Sequence, residues 1–152
     1  MDPNHAQAMT AFPLFKGFTE NGTKRLLDAG KVNQHAPGEV LLKEGDPAEF
    51  VLLVLTGKLE VFVERKGKDL VLTEAGPGAI LGELAVLCGI PRSASVRAKE
   101  ASTTLRWDDE DFRSLLLRDH SLSQRVFSGA LRTLVDKERS LIDSLVASQA
   151  SA

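Results

Sequence analysis

The stretch GELAVLCGIPRSASVRA, residues 82–98, places an acid, Glu83, and a base, Arg92, at either side of a run of small and apolar residues. A carboxylate in such a run is an acceptor for neutral hydroxyls, such as those of a sugar. A guanidinium is a planar fork of donors that grips two phosphate oxygens at once. Ser93 adds a hydroxyl, and Ala94 leaves the backbone open. A ligand with a phosphate beside a sugar hydroxyl would satisfy each of these polar groups. The competing reading is that Glu83 and Arg92 pair with each other across a surface loop, an arrangement of little energetic worth. Residue types and spacing leave both readings open.

Turns and one short helix would position these residues. The run AGPGAILGELAVLCGIPRSASVRA reads as a strand end, a glycine turn, one short helix at about 83–88 and a return to strand through Gly89 and Pro91. A helix N-terminus presents unpaired N–H groups and a partial positive charge, so it suits an anion. Cys88 lies among Leu87, Gly89 and Ile90 with no histidine beside it, and a buried or cleft-lining thiol is expected in preference to a reactive one. As the single cysteine it cannot form an internal disulfide. His5, His35 and His120 are far apart, so no metal-ligand spacing is visible.

From 32 to about 107, short apolar segments alternate with turn residues: APGE at 36–39, EGDPAE at 44–49, TGK at 56–58, RKGKD at 65–69 and AGPG at 75–78. Alternation is clearest at 58–64. There Leu59, Val61 and Val63 share one face, Lys58, Glu60 and Glu64 the other, and Phe62 is the misfit on the polar side. Several short strands at regular spacing predict an antiparallel barrel or two-sheet jelly roll.

Helices flank this region. Residues 1–11 are small and polar and read as a flexible lead-in; FPLFKGF then supplies aromatics to pack under a sheet, and Thr19 is the N-cap of a short helix carrying Leu26 and Leu27. After Trp107, Asp108 is the expected cap of a helix whose buried stripe is Phe112, Leu115 and Leu116. Ser121 and Gln124 read as the capping box of a longer helix reaching about 147. Along it Phe127, Leu131, Leu134, Leu141 and Leu145 form a near-heptad interrupted by Glu138, widened by Val135, Ile142 and Val146. That stripe either docks on the barrel or pairs with another helix.

At 152 residues the chain fits one domain with its own core, drawn here at 12–148. Nineteen Lys and Arg against 21 Asp and Glu leave a net charge of −2, which gives no cationic surplus for a nucleic acid. The longest apolar run, FVLLVL at 50–55, is far short of the roughly 18 residues that mark a membrane span. The N-terminus lacks the basic-then-apolar pattern of a signal peptide, so the cytoplasm is the expected location. No nucleophile–base pair or Walker-type loop accompanies the cleft segment, which argues for binding without catalysis and without a catalytic cofactor.

The segment resembles the phosphate-binding cassette of the cyclic nucleotide-binding domain family, whose pattern runs Phe-Gly-Glu-aliphatic-Ala-Leu, a few residues, then Pro-Arg-small-Ala. Gly82, Glu83, Leu84, Ala85, Leu87, Pro91, Arg92 and Ala94 match it, while Leu81 stands in place of the usual Phe. APGEVLLKEGDPAEFVLLVLTGKLEVF is similar to the family's earlier strands and FPLFKGF to its opening helix, so the resemblance covers about residues 12–145. It implies a mainly β fold, an eight-stranded antiparallel jelly roll at about 32–107, with an N-terminal helix, a short cassette helix and two C-terminal helices at about 109–147.

By the same resemblance Glu83 would accept the ribose 2′-hydroxyl and Arg92 would pair with the cyclic phosphate. Gly82, Leu84, Ala85, Ser93 and Ala94 would complete the ligand-binding set. Members that prefer cyclic GMP often carry Thr after the arginine; Ser93, as in catabolite-activator-like proteins, favours cyclic AMP. The base cover is expected from the last helix, around Arg132 to Arg139, with no one residue singled out. The implied role is a sensor whose last helix swings and signals to a protein partner or along a homodimer. Two alternatives stand beside it. One is a catabolite-activator-type transcription regulator, whose helix-turn-helix has no room before Ala152. The other is a nucleotide-free interaction scaffold, against which a buried arginine lacking a phosphate counts as costly.

Overall fold

The computed structural model describes residues 4–150. In chain order they form α1 (Asn4–Thr10), a 3-10 turn (Pro13–Phe15), α2 (Glu20–Asp28), β1 (Lys31–His35), β2 (Val40–Leu42), β3 (Phe50–Thr56), β4 (Leu59–Arg65), β5 (Lys68–Ala75) and β6 (Ile80–Leu81). There follow α3 (Glu83–Cys88), β7 (Ser95–Ala98), β8 (Ser102–Asp108), α4 (Asp109–Arg118) and α5 (His120–Ala150). The strands make two four-stranded sheets, ordered β1-β8-β3-β6 and β2-β7-β4-β5, and every pairing is antiparallel. This is the two-sheet jelly roll that the strand spacing predicts, with the eight strands and flanking helices that the family resemblance implies.

β3 explains why FVLLVL is continuously apolar where an ordinary sheet strand alternates. Val51, Leu53 and Leu55 face a cluster built from the helices, with Met9, Phe15, Leu26, Trp107 and Phe112. Leu52 and Val54 face a second cluster between the sheets, with Leu42, Leu59, Val96 and Ala98. A strand covered on both faces has no polar side to show. Trp107, fully buried, satisfies its indole N–H on the carbonyl of Leu26 at 2.8 Å.

Phe62 is accommodated by a bulge. The β4–β5 register shifts between Val61 and Phe62, and the guanidinium of Arg97 lies 4.3 Å over the Phe62 ring. The β4–β5 turn places Lys66 and Gly67 at φ 56° and 74°, the backbone of a two-residue hairpin.

Several local expectations are corrected. The flexible lead-in is in large part a helix: residues 1–3 lie outside the described residues, but α1 buries Ala6 and Met9 in the helical cluster, and Thr23 Oγ1 donates to the Ala6 carbonyl. One large apolar residue in NHAQAMT left no amphipathic pattern to read. Thr19 does cap α2, accepting from the Gly22 amide at 3.0 Å. Asp108 sits at the N-cap of α4 but makes no capping bond, because its carboxylate takes a hydrogen bond from Arg106 Nε. α5 starts ahead of the expected box, and Asp119, not Ser121, caps it by accepting from the Leu122 amide at 3.0 Å. Cys88 is exposed, since α3 buries only its Ala85–Val86 side.

α5 docks through its first turns. Leu122, Val126 and Ala130 are buried, and Arg125 donates to the Leu14 carbonyl. Phe127, Leu131, Leu134, Leu141 and Leu145 are 46–66% exposed, so the stripe does not dock on its own barrel.

Candidate functional site

α3 is short because glycines close both of its ends. Gly82, at φ +83°, turns the chain out of β6, which is anchored on β3 through the Leu52–Leu81 and Leu53–Ile80 pairs. Gly89, at φ +66°, ends the helix, with the Ile90 amide reaching the Ala85 carbonyl at 3.1 Å. Ala85 and Val86 fasten α3 to the core, leaving Glu83 at the helix start beside a cleft.

Arg92 is held by its backbone and its side chain. Its amide donates to the Asp46 carbonyl at 2.9 Å, and its own carbonyl accepts from the Gly45 amide at 2.9 Å, so the β2–β3 loop clamps it. Nη1 donates to the Gly82 carbonyl at 2.9 Å and Nη2 to the Phe50 carbonyl at 2.5 Å. The guanidinium carbon sits 5.0 Å from the Phe50 ring centroid, and that of Arg106 sits 3.9 Å from the same centroid. The side chain is buried, so its charge rests on carbonyl dipoles and a ring face. A buried arginine without a phosphate is therefore compensated here, which weakens the cost argument made from sequence.

All seven residues singled out from the sequence, Gly82, Glu83, Leu84, Ala85, Arg92, Ser93 and Ala94, line one cleft of about 240 Å³. Glu83 and Arg92 share it without forming an ion pair among the described residues. Burial pushes the Glu83 carboxyl above its ordinary pKa, against weaker opposing pulls from Lys137 and Arg92. Burial also lowers the Arg92 pKa, against an opposing pull from the Glu83 charge and with a smaller repulsion from Arg106. The cleft thus offers a desolvated acceptor beside a cation whose guanidinium donates to carbonyls.

Further residues line the cleft that the sequence did not single out. Val61 and Thr73 come from the sheet, and Thr133 and Lys137 from α5, with Lys137 near enough to act on the Glu83 carboxyl. Thr133 and Lys137 fall inside the window expected to cover a base, and their i, i+4 spacing puts them on one helix face. Phe50, under Arg92, was hidden in the apolar run of β3. A wider, shallower hollow of about 490 Å³ at the far end of the barrel includes His35, whose ring is already engaged by Glu39 and, at 2.8 Å, by Thr104 Oγ1.

Residues 32–119 match the family model described as the cyclic nucleotide-binding domain. The chain belongs to the cyclic nucleotide-binding domain family. The matched span runs from β1 through α4, and α1, α2 and all of α5 lie outside it. Among relatives, the cAMP-dependent protein kinase regulatory subunit of Blastocladiella emersonii is 32% identical over 119 residues, which is 78% of this chain and 30% of that protein. The potassium channel KOR1 of Oryza sativa subsp. japonica is 32% identical over 107 residues, covering 70% of this chain and 12% of the channel. The chain thus spans less than a third of either relative. Among solved structures, the catabolite activator protein of Thermus thermophilus superposes with a TM-score of 0.78 at 27% identity, covering 85% of this chain and 61% of that one. Such cyclic nucleotide-binding domains therefore occur in kinase-regulatory, channel and activator proteins, and no helix among the described residues of this one is long and apolar enough to cross a membrane.

Proposed function

We propose that this domain is a cytoplasmic cyclic nucleotide sensor that favours cyclic AMP, acts by binding alone, and signals through the position of α5. The observation that carries this reading is the shared cleft: Glu83 and Arg92 both line it without pairing with each other, and Thr133 and Lys137 of α5 line it too. In the proposed complex Arg92 meets the cyclic phosphate and Glu83 accepts the ribose 2′-hydroxyl. Gly82, Leu84, Ala85, Ser93 and Ala94 line phosphate and sugar, and Thr133 and Lys137 lie against the base. A ligand bridging α3 and α5 binds the closed arrangement better than the open one, and only such differential affinity moves α5. The outward stripe of α5 is the output surface, taken up by a protein partner or a second copy. A lone thiol suits a reducing compartment.

One observation favours the scaffold reading: Arg92 already has carbonyl partners without any ligand. Isothermal titration of the chain with cyclic AMP and then cyclic GMP separates the two. Micromolar or tighter binding, tighter for cyclic AMP, is expected. No heat and no thermal shift with either nucleotide would overturn the sensor.

A further inference from the structure

Arg113 of α4 reaches back to α3. Its Nη2 donates to the Val86 carbonyl, and its Nε pairs with Asp109 one turn earlier on α4. The Val86 carbonyl belongs to the last turn of α3, where acceptors lack helical partners and a cation is favoured. Its other donor, the Gly89 amide, stands 3.4 Å away. One side chain therefore joins the helix that begins with Glu83 to the helix that leads, through Asp119 alone, into α5.

Beyond that bond, both helices contribute apolar side chains to one core cluster. Val86 and Leu87 share the helical cluster with Phe112, Leu115 and Leu116. Apolar packing is non-directional and lets one helix slide along another. A guanidinium held at one edge by Asp109 and bonded at the other to a backbone carbonyl fixes the register between them. Arg113 is about half exposed, at 48% of its side chain, so removing it leaves the core intact.

We propose that Arg113 is a positioning residue that makes α3 and α4 move as one body, so that cassette movement on ligand binding reaches α5. The inference rests on the sensor reading of the cleft for its ligand, but not for its mechanics. Cys88, exposed at the end of α3 and the only cysteine, provides a native labelling position. Spin labels at Cys88 and at Ser144→Cys on α5, diluted with unlabelled chain, report the α3–α5 distance by pulsed electron paramagnetic resonance. In the labelled chain a narrow ligand-free distribution that shifts with cyclic AMP is expected. Adding Arg113→Ala should broaden the ligand-free distribution at least twofold and cut the shift by half or more. Arg113→Lys, which keeps one donor for the carbonyl, should recover part of both.

An Arg113→Ala distribution of unchanged width overturns the proposal, as does a lowered unfolding temperature without broadening. If calorimetry shows that the chain binds no cyclic nucleotide, the sensor reading fails, and the ligand-free width still decides the role of Arg113.

Discussion

Nη1 of Arg92 lies 2.9 Å from the carbonyl oxygen of Gly82, so the cation of the cleft is packed beneath the residue that opens α3. The guanidinium is in this way preorganised next to the helix start without being neutralised by Glu83. Two of its five N–H groups go to the carbonyls of Gly82 and Phe50, which fix the plane of the fork. Two consequences of the proposed phosphate contact can be tested directly.

Arg92→Ala should weaken cyclic nucleotide binding by about 2–5 kcal/mol, the usual cost of removing one member of a buried charged pair. That is roughly thirtyfold to several-thousandfold in Kd by titration calorimetry. Arg92→Lys keeps the charge but loses the fork, so its loss should be intermediate. An affinity unchanged by Arg92→Ala would remove the phosphate from this position.

Gly82→Ala tests the packing. A Cβ on Gly82 would collide with the Arg92 guanidinium, and the backbone there is at φ +83°. Gly89→Ala is the matched control, at φ +66° with open space around the added carbon. Strain in this region costs on the order of 1–3 kcal/mol per residue, so both variants should lower the thermal unfolding midpoint. Only Gly82→Ala should also weaken nucleotide binding, because only there does the guanidinium have to move. Equal effects of the two on affinity would show that strain alone is felt.

The parts of this site that the sequence makes legible are those with local chemistry. Glu83, Arg92 and the glycines on either side of α3 announce themselves because their residue types conflict with a plain strand or a plain loop. The all-β character of 32–107 follows from regularly spaced turn residues, and Thr19 is readable as a cap because the amide that donates to it lies three residues away. What stays hidden depends on distant contacts. Phe50 matters because Arg92 and Arg106 both stack on it, and its neighbours in sequence carry no sign of that. α1 is fastened by burial of Ala6 and Met9, which its short sequence does not signal as an amphipathic pattern. Asp119 outcompetes Ser121 only because α4 ends where it does. The fate of the α5 stripe turns on where the barrel stops supporting the helix, a tertiary fact with no local signature.

The raised pKa of Glu83 predicts two pH dependences of one origin. Burial favours the protonated form in the fold, so between the ordinary carboxylate range and the raised folded value the native state holds more protons than the unfolded one. Stability from this group is therefore fully present below the ordinary range and declines as pH rises through the folded pKa. A hydroxyl donating to Glu83 needs the ionised carboxylate, so nucleotide affinity should run the other way, falling as pH drops through that value. Glu83→Gln should flatten both profiles, read by thermal unfolding and by calorimetry across the acid range. A wild-type affinity that is flat down to the ordinary carboxylate range would separate Glu83 from the sugar.

The last dependence concerns α5, which carries two faces over the same turns. Thr133 and Lys137 face the cleft, while Leu134, Leu141 and Leu145 are exposed along a heptad with Glu138 between them. From Leu131 to Ala150, about 30 Å of helix at 1.5 Å per residue, no residue is buried, although Thr133 and Lys137 line the cleft. If a second copy packs there in register, Glu138 meets its own counterpart in the seam, and a charge at such a position specifies register at a cost in stability. Replacing it as Glu138→Leu should then tighten self-association about tenfold or more, which corresponds to roughly 1.4 kcal/mol. The paired change Leu134→Glu with Leu141→Glu should leave monomers that still bind nucleotide, since neither leucine lines the cleft. Sedimentation velocity over a concentration series reads both. A mass insensitive to Glu138→Leu at every concentration would assign the stripe to a different protein, and the same series repeated with saturating cyclic AMP would show whether the cleft face and the stripe face of α5 are thermodynamically linked.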